Sequence, residues 1–186
     1  MPAHDPSRLA DVKSCMKVLT GAALGVVGVA ALSGCSPASG TAALVNDVAI
    51  PDARVTSFAE GCSAVLASSP QLAQSPNQLR PQMVKWAVLD EMSRQQAEQM
   101  GSNAPDDAQM RDYIEQSGLS QLLGNGECAE AALGVARHDL IALSLGSNMD
   151  SYFGAYTVEV NPRYGTWDQA NLAVSGSGSL SELVDL

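Results

Sequence analysis

Four cysteines (Cys15, Cys35, Cys62, Cys128), the histidines His4 and His138, and three close carboxylate pairs are the groups with which this 186-residue chain could do chemistry. A thiol can be alkylated, oxidised or, as thiolate, bound to a metal. A histidine moves protons near neutral pH, and paired carboxylates can divide acid and base roles. His138 stands beside Asp139. Neighbours on a helix point about 100° apart, so the two cannot form a relay as they stand, and a solvated helical histidine is expected. Asp90-Glu91, Asp106-Asp107 and Glu127 with Glu130 read as solvated faces or as charge at helix N-termini. There is no CxxC, and His138 is the sole histidine beyond residue 34, which makes zinc a poor fit. No Gly-x-Ser-x-Gly, phosphate loop or metal-ligand run occurs. The chain therefore reads as a non-enzyme, with no catalytic residue, metal or cofactor assigned.

Cys35 has a different reading. Met16-Lys17 is followed by VLTGAALGVVGVAALSGCSP, a small-residue apolar run without charge. That order is a signal peptide, its core too short for a spanning helix. The run ends in Leu32-Ser33-Gly34-Cys35, which resembles a bacterial lipobox. The resemblance implies cleavage before Cys35 and acylation of its thiol and new amine. Small residues let the chain lie extended in a protease cleft, and the thiol is the readily alkylated nucleophile. Residues 1–34 are the expected signal peptide, with Met16 an alternative start, and 35–41 a lipidated tether. The expected place is the extracytoplasmic face of the cell membrane, held through acyl chains on Cys35. Residues 1–34 hold three of the ten basic residues and two of the twenty acidic ones, leaving 7 against 18, a net charge near −11. So acidic a surface excludes nucleic acid as a partner and leaves no basic patch for anionic lipid.

In an oxidising compartment Cys62 and Cys128 are expected to form a disulfide. The alternative is a pair of buried thiols, since Cys62 lies on the apolar face of a helical pattern.

Stepping along the chain, Leu44-Val45 and Val48-Ala49-Ile50 flank Asn46-Asp47, two short strands around a tight turn. Pro51 and Asp52 suit a helix start, and Val55, Phe58, Ala59, Cys62, Val65 and Leu66 give its apolar face. A second helix is expected from between Asn77 and Pro81 to Met100, with Pro81 in its first turn and Gly101 as C-cap. A third starts at Pro105-Asp106-Asp107 with a Met110, Tyr113, Ile114, Leu119 stripe. A fourth runs from about Glu127 to Leu145 with Ala132, Leu133, Ala136, Leu140 and Leu143 at helical spacing. Ser151 to Val160 has strand composition, with Tyr156, Val158 and Val160 on one side. The expected class is mainly α (α+β), about four helices closed by antiparallel pairing of N- and C-terminal strands. The domain spans 42–170, and Ser175-Gly-Ser-Gly-Ser179 marks 171–186 as a flexible tail. Met83, Met92, Met100 and Met110 are either core filling or an adaptable binding surface.

Two stretches, Ala43-Leu-Val-Asn-Asp-Val-Ala-Ile-Pro-Asp52 and Val160-Asn-Pro-Arg-Tyr-Gly-Thr-Trp-Asp168, carry a family resemblance. A short strand leading into Ile-Pro-Asp, several helices, and a closing strand with Val-Asn-Pro-Arg-Tyr-Gly is similar to the N-terminal domain of SurA-type chaperones of actinobacterial lipoproteins. Asp47 stands where that family usually has Gly. The resemblance covers most of Ala42 to Trp167. It implies that first and last strands pair and that the helices between cradle unfolded or extended polypeptide. Many relatives add a parvulin-type prolyl isomerase domain of about 90 residues, and no such length of chain is left here. The resemblance thus implies holding without isomerisation.

Within VEVNPRYGTWDQ, Pro162 ends a strand and Gly165 permits a turn, while Tyr164 and Trp167 are large amphipathic anchors. Arg163 could fork onto a carboxylate or lie on an aromatic face. The stretch reads as a clasp. The competing reading makes Arg163, Tyr164, Trp167 and Trp86 a peptide-gripping set. At the level of function, the alternative to a polypeptide binder is an adaptor lipoprotein with one dedicated protein partner.

Overall fold

The computed structural model describes residues 37–176, so Leu32, Ser33, Gly34 and Cys35 and the last ten residues lie outside the described part. The chain is mainly helical, with the small antiparallel strand pairing that the sequence calls for. β1 (Thr41–Val45) and β2 (Val48–Pro51) form a hairpin around Asn46-Asp47, with Asn46 in the left-handed region at φ 52°. Asparagine tolerates that conformation at little cost. β3 (Val158–Val160) pairs with the other edge of β1, Ala43 opposite Val160 and Val45 opposite Val158, giving the order β2-β1-β3. Asn46 secures the join: its backbone N–H donates to the Thr157 carbonyl (2.7 Å), and its side-chain oxygen accepts from Thr157 N–H (3.1 Å).

Four longer helices carry the core. α1 (Asp52–Leu66) begins directly after Pro51, which is the N-cap rather than a helical residue. α2 (Pro76–Met100) starts one residue ahead of the expected range because Ser75 and Gln78 build a reciprocal capping box. Pro81 consequently falls in the second turn. The acceptor it cannot bond belongs to exposed Asn77, where water can serve it. α3 (Asp107–Gln116) uses the same device from Asp106 and Gln109, which places Pro105 outside the helix. α4 (Gly126–Leu145) is capped by the Asn125 side chain, which accepts from Glu127 and Cys128 N–H.

α4 packs against α1, α2 and α3 and is lined with small residues, Ala131, Ala132, Gly134 and Ala136 all being buried. A Cβ on Gly134 would lie 2.6 Å from Asp90 Cβ of α2, and one on Gly61 of α1 would lie 2.9 Å from Glu127 Cβ of α4. Absent side chains at these two crossings set the helix spacing. Cys62 and Cys128 are disulfide-bonded at the α1–α4 crossing, their Cα atoms 4.6 Å apart. The loop they close, 66 positions long, contributes about 4 kcal/mol by the chain-entropy argument.

Several expectations are corrected. Leu143 is 71 % and Leu119 45 % exposed, so neither belongs to its core stripe. Ser151–Val160 is not one strand. Met149–Phe153 forms a short helix, α5, and strand geometry is confined to Val158–Val160. Five residues are too few for a helical period to register against aromatic, strand-like composition. After a 3₁₀ turn (Pro162–Tyr164), β4 (Thr166–Asp168) pairs with β5 (Ala173–Ser175), so the stretch read as tail from 171 begins with an ordered strand.

Candidate functional site

The VNPRYG stretch is a fastener. Asn161 turns the chain by accepting from Arg163 N–H, and its amide donates to the Thr41 carbonyl (3.0 Å). Tyr164 is buried and its hydroxyl donates to Asp52 Oδ1, at the first residue of α1. Burial and that hydrogen bond raise the phenol pKa above its usual value. The Arg163 guanidinium pairs with the same carboxylate and lies over the Tyr164 ring, 4.9 Å from its centroid. Arg163 thus does both things its position allowed. Its side chain is 46 % exposed, so the ion pair is screened and contributes at most about 1 kcal/mol. Trp167 Nε1–H donates to Gln169, whose amide in turn donates to the Phe153 carbonyl (2.6 Å). Every polar group of the stretch named here is engaged with the domain itself.

Trp86 is elsewhere. It lines a cleft of about 140 Å³ between α2, α3 and α4, with Tyr113, Ile114, Leu122 and Val135, and the half-exposed Leu119 at its lip. The sequence grouped Trp86 with the clasp; no clasp residue lines this cleft. Tyr113 closes one side, its hydroxyl donating to Asp139 (3.0 Å), and burial followed by that bond raises its pKa. The methionines do not border the cleft: Met83, Met92 and Met110 are core residues.

Two polar groups expected in solvent are buried. His138 is 7 % exposed, with Nδ1 3.3 Å from Ser93 Oγ and its ring 4.5 Å from that of Phe153. Burial is the main cause that lowers its pKa, working against the nearby Asp139 charge. Asp90 is 3 % exposed and is held by Arg54 of α1 (2.9 Å) and Arg137 of α4, with Glu130 completing the group on Arg54 (2.9 Å). Arg54 also lies over Phe58, 5.1 Å from the ring centroid. This charge knot ties three helices. Ser93 is wholly buried, so the Ser93–His138 pair cannot reach a substrate and is a packing contact.

The third feature is a polar groove of about 380 Å³ where the β1–β2 turn, the end of α2 and the α5 region meet. Asn46, Gln95, Gln96, Gln99, Tyr152 and Tyr156 line it. Its signal in the sequence is the glutamine cluster Gln95-Gln96…Gln99, which a search for catalytic motifs passes over. Among the described residues no group of three His, Cys, Asp or Glu side chains could hold a metal ion. No helix there is long and apolar enough to cross a membrane. No protein-family model, curated protein or solved structure matches this chain.

Proposed function

We propose that this chain is a lipid-anchored extracytoplasmic domain that binds unfolded or extended polypeptide without catalysis. The observation that carries this reading is the Trp86 cleft. A site of about 140 Å³ walled mainly by apolar and aromatic groups, with Ser117 and Asp139 its polar members, fits one large apolar side chain at a time, since a cavity of about 150 Å³ accepts a benzene-sized ring. A partner recognised by single apolar side chains is an extended chain rather than a folded surface. The Leu32-Ser33-Gly34-Cys35 sequence supports the anchor, and a Cys62–Cys128 disulfide suits an oxidising compartment. The order of elements fits the SurA-type resemblance.

A second reading, an adaptor with one dedicated protein partner, draws on the burial of Met83, Met92 and Met110, which removes the adaptable surface expected of a general chaperone.

Aggregation of a chemically unfolded client, followed by light scattering with oxidised Ser36–Leu186, separates the two. Suppression that Leu119→Asp and Trp86→Ala abolish supports polypeptide binding. No suppression of several clients leaves the dedicated-partner reading. For the anchor, Cys35→Ser is expected to move the protein from the membrane to the soluble fraction, and an unchanged distribution refutes lipidation.

A further inference from the structure

We propose that the polar groove beside the β1–β2 turn binds a neutral carbohydrate. The chemistry of its walls excludes the other ligand classes in turn. None of the described residues lining it is charged, and the chain as a whole carries a net charge of −10, so among the described lining residues an anion finds no counter-charge and a cation no carboxylate. An apolar ligand is disfavoured by Gln96. This residue is 4 % exposed and lines the groove. Covering it with hydrocarbon would leave a buried amide unsatisfied. Extended peptides dock most readily by adding to a strand edge, and no residue of β2 or β3, the strands at the two edges of the sheet, is among the described residues that line the groove. What remains is a neutral ligand rich in groups that both donate and accept.

The groove supplies the complement of such a ligand. The amides of Gln96 and Gln99 each offer a donor and an acceptor, and so do the hydroxyls of Tyr152 and Tyr156. The remaining wall is already set. Gln95 accepts from the Asn46 amide (2.8 Å) and donates to Glu91 (3.1 Å), which fixes the α2 side. The Tyr156 ring stacks on Phe153 at 6.4 Å between centroids, which fixes the opposite one. Burial holds the Tyr156 hydroxyl protonated well past neutrality, so it remains a donor. Tyr152 is 41 % exposed and offers an aromatic surface to the apolar side of a sugar ring. The volume, about 380 Å³, lies within the range of preformed small-molecule sites. This inference is independent of polypeptide binding at the Trp86 cleft.

The full chain in detergent, titrated with chitotriose, mannotriose and cellotriose by calorimetry and by saturation-transfer NMR, tests it. At least one trisaccharide is expected to bind. Gln96→Leu and Tyr152→Ala are each expected to raise its dissociation constant about ten-fold, the worth of one good hydrogen-bonding group. Leu119→Ala, at the other cleft, is expected to leave it unchanged. Gln96→Leu keeps nearly the same side-chain volume and Tyr152→Ala alters an exposed side chain, so both variants are expected to keep the wild-type unfolding midpoint. Failure of all three sugars to bind overturns the proposal. So does binding that neither variant weakens. Binding of an uncharged extended peptide in their place, lost on Gln96→Leu, overturns it in favour of a peptide site.

Discussion

Replacing Asp90 by Ala removes the one anion that, among the described residues, pairs with both Arg54 and Arg137. The carboxylate side chain is 5 % exposed and the two arginines 22 % and 21 %, so the three groups share a largely water-poor crossing of α1, α2 and α4. After the change Arg54 keeps Glu130, whose side chain is 58 % exposed, while Arg137 keeps no ion-pair partner among the described residues. Breaking a buried pair by deleting one partner costs about 3–5 kcal/mol. The residual water at both guanidinium groups puts the expected loss at the lower end, about 3 kcal/mol. Against totals of about 5–15 kcal/mol, that figure is about a third of a mid-range domain's stability. Urea unfolding with the disulfide intact should register a midpoint lower by about 1.5 M at a slope of about 2 kcal/mol/M. Adding Arg137→Met to Asp90→Ala removes the stranded cation and is expected to restore about 1 kcal/mol. A loss below about 1 kcal/mol, or a double variant no more stable than Asp90→Ala, would refute the idea that the knot is buried charge balanced by charge.

Three further outcomes follow from the packing. Gly134→Ala forces a methyl against Asp90 Cβ, 2.6 Å away, and is expected to cost about 1–3 kcal/mol as overpacking; calorimetry with an unchanged melting temperature would contradict it. Reducing Cys62–Cys128, or replacing both by Ala, should lower stability by about 4 kcal/mol in urea titrations with and without reductant, and equal midpoints would refute the estimate. His138 has a lowered pKa in the folded state because it is buried. The unfolded chain therefore takes up the proton first, so stability is complete above about pH 6.5 and falls as pH drops below that value. His138→Phe should remove that part of the pH slope between pH 7 and 5, and an unaltered slope would place the titration elsewhere.

The helices and the β1–β2 hairpin were legible because their signals are local. Val55, Phe58, Ala59 and Cys62 share a face whatever they pack against, and Asn46-Asp47 marks a turn by its own conformational preferences. The pairing of β1 with the chain's later strand, and Tyr164 and Arg163 as a clasp, came from the resemblance and from residue chemistry together. Asp90 was illegible because its partners lie 36 and 47 positions away on other helices; beside Glu91 it looks like one more surface acid. His138 was readable in principle. It shares an i, i+4, i+7 stripe with Gly134 and Ile141, all buried, but a histidine next to an aspartate draws attention to charge instead. The short α5 and β5 are set by tertiary contacts and leave too few residues for any period to show. Trp86 separated from Trp167 for a similar reason, since nothing local says which of two helix faces a tryptophan will cover.

The central place of β1 carries a consequence for the order in which the chain folds. Its first edge is satisfied within a few residues by β2, but its second waits for Val158–Val160, and the Asn161 bond to Thr41 spans 120 positions. A chain appearing from its N-terminus can assemble α1 to α4 and even oxidise Cys62 with Cys128 while one side of that strand still stands open. Closing so long a loop comes late and is slow. Until it closes, the bare edge is a template for pairing with any neighbouring chain. Truncation before Val158 therefore removes more than a terminal strand: it leaves a helical body, otherwise complete, with an adhesive seam at its start.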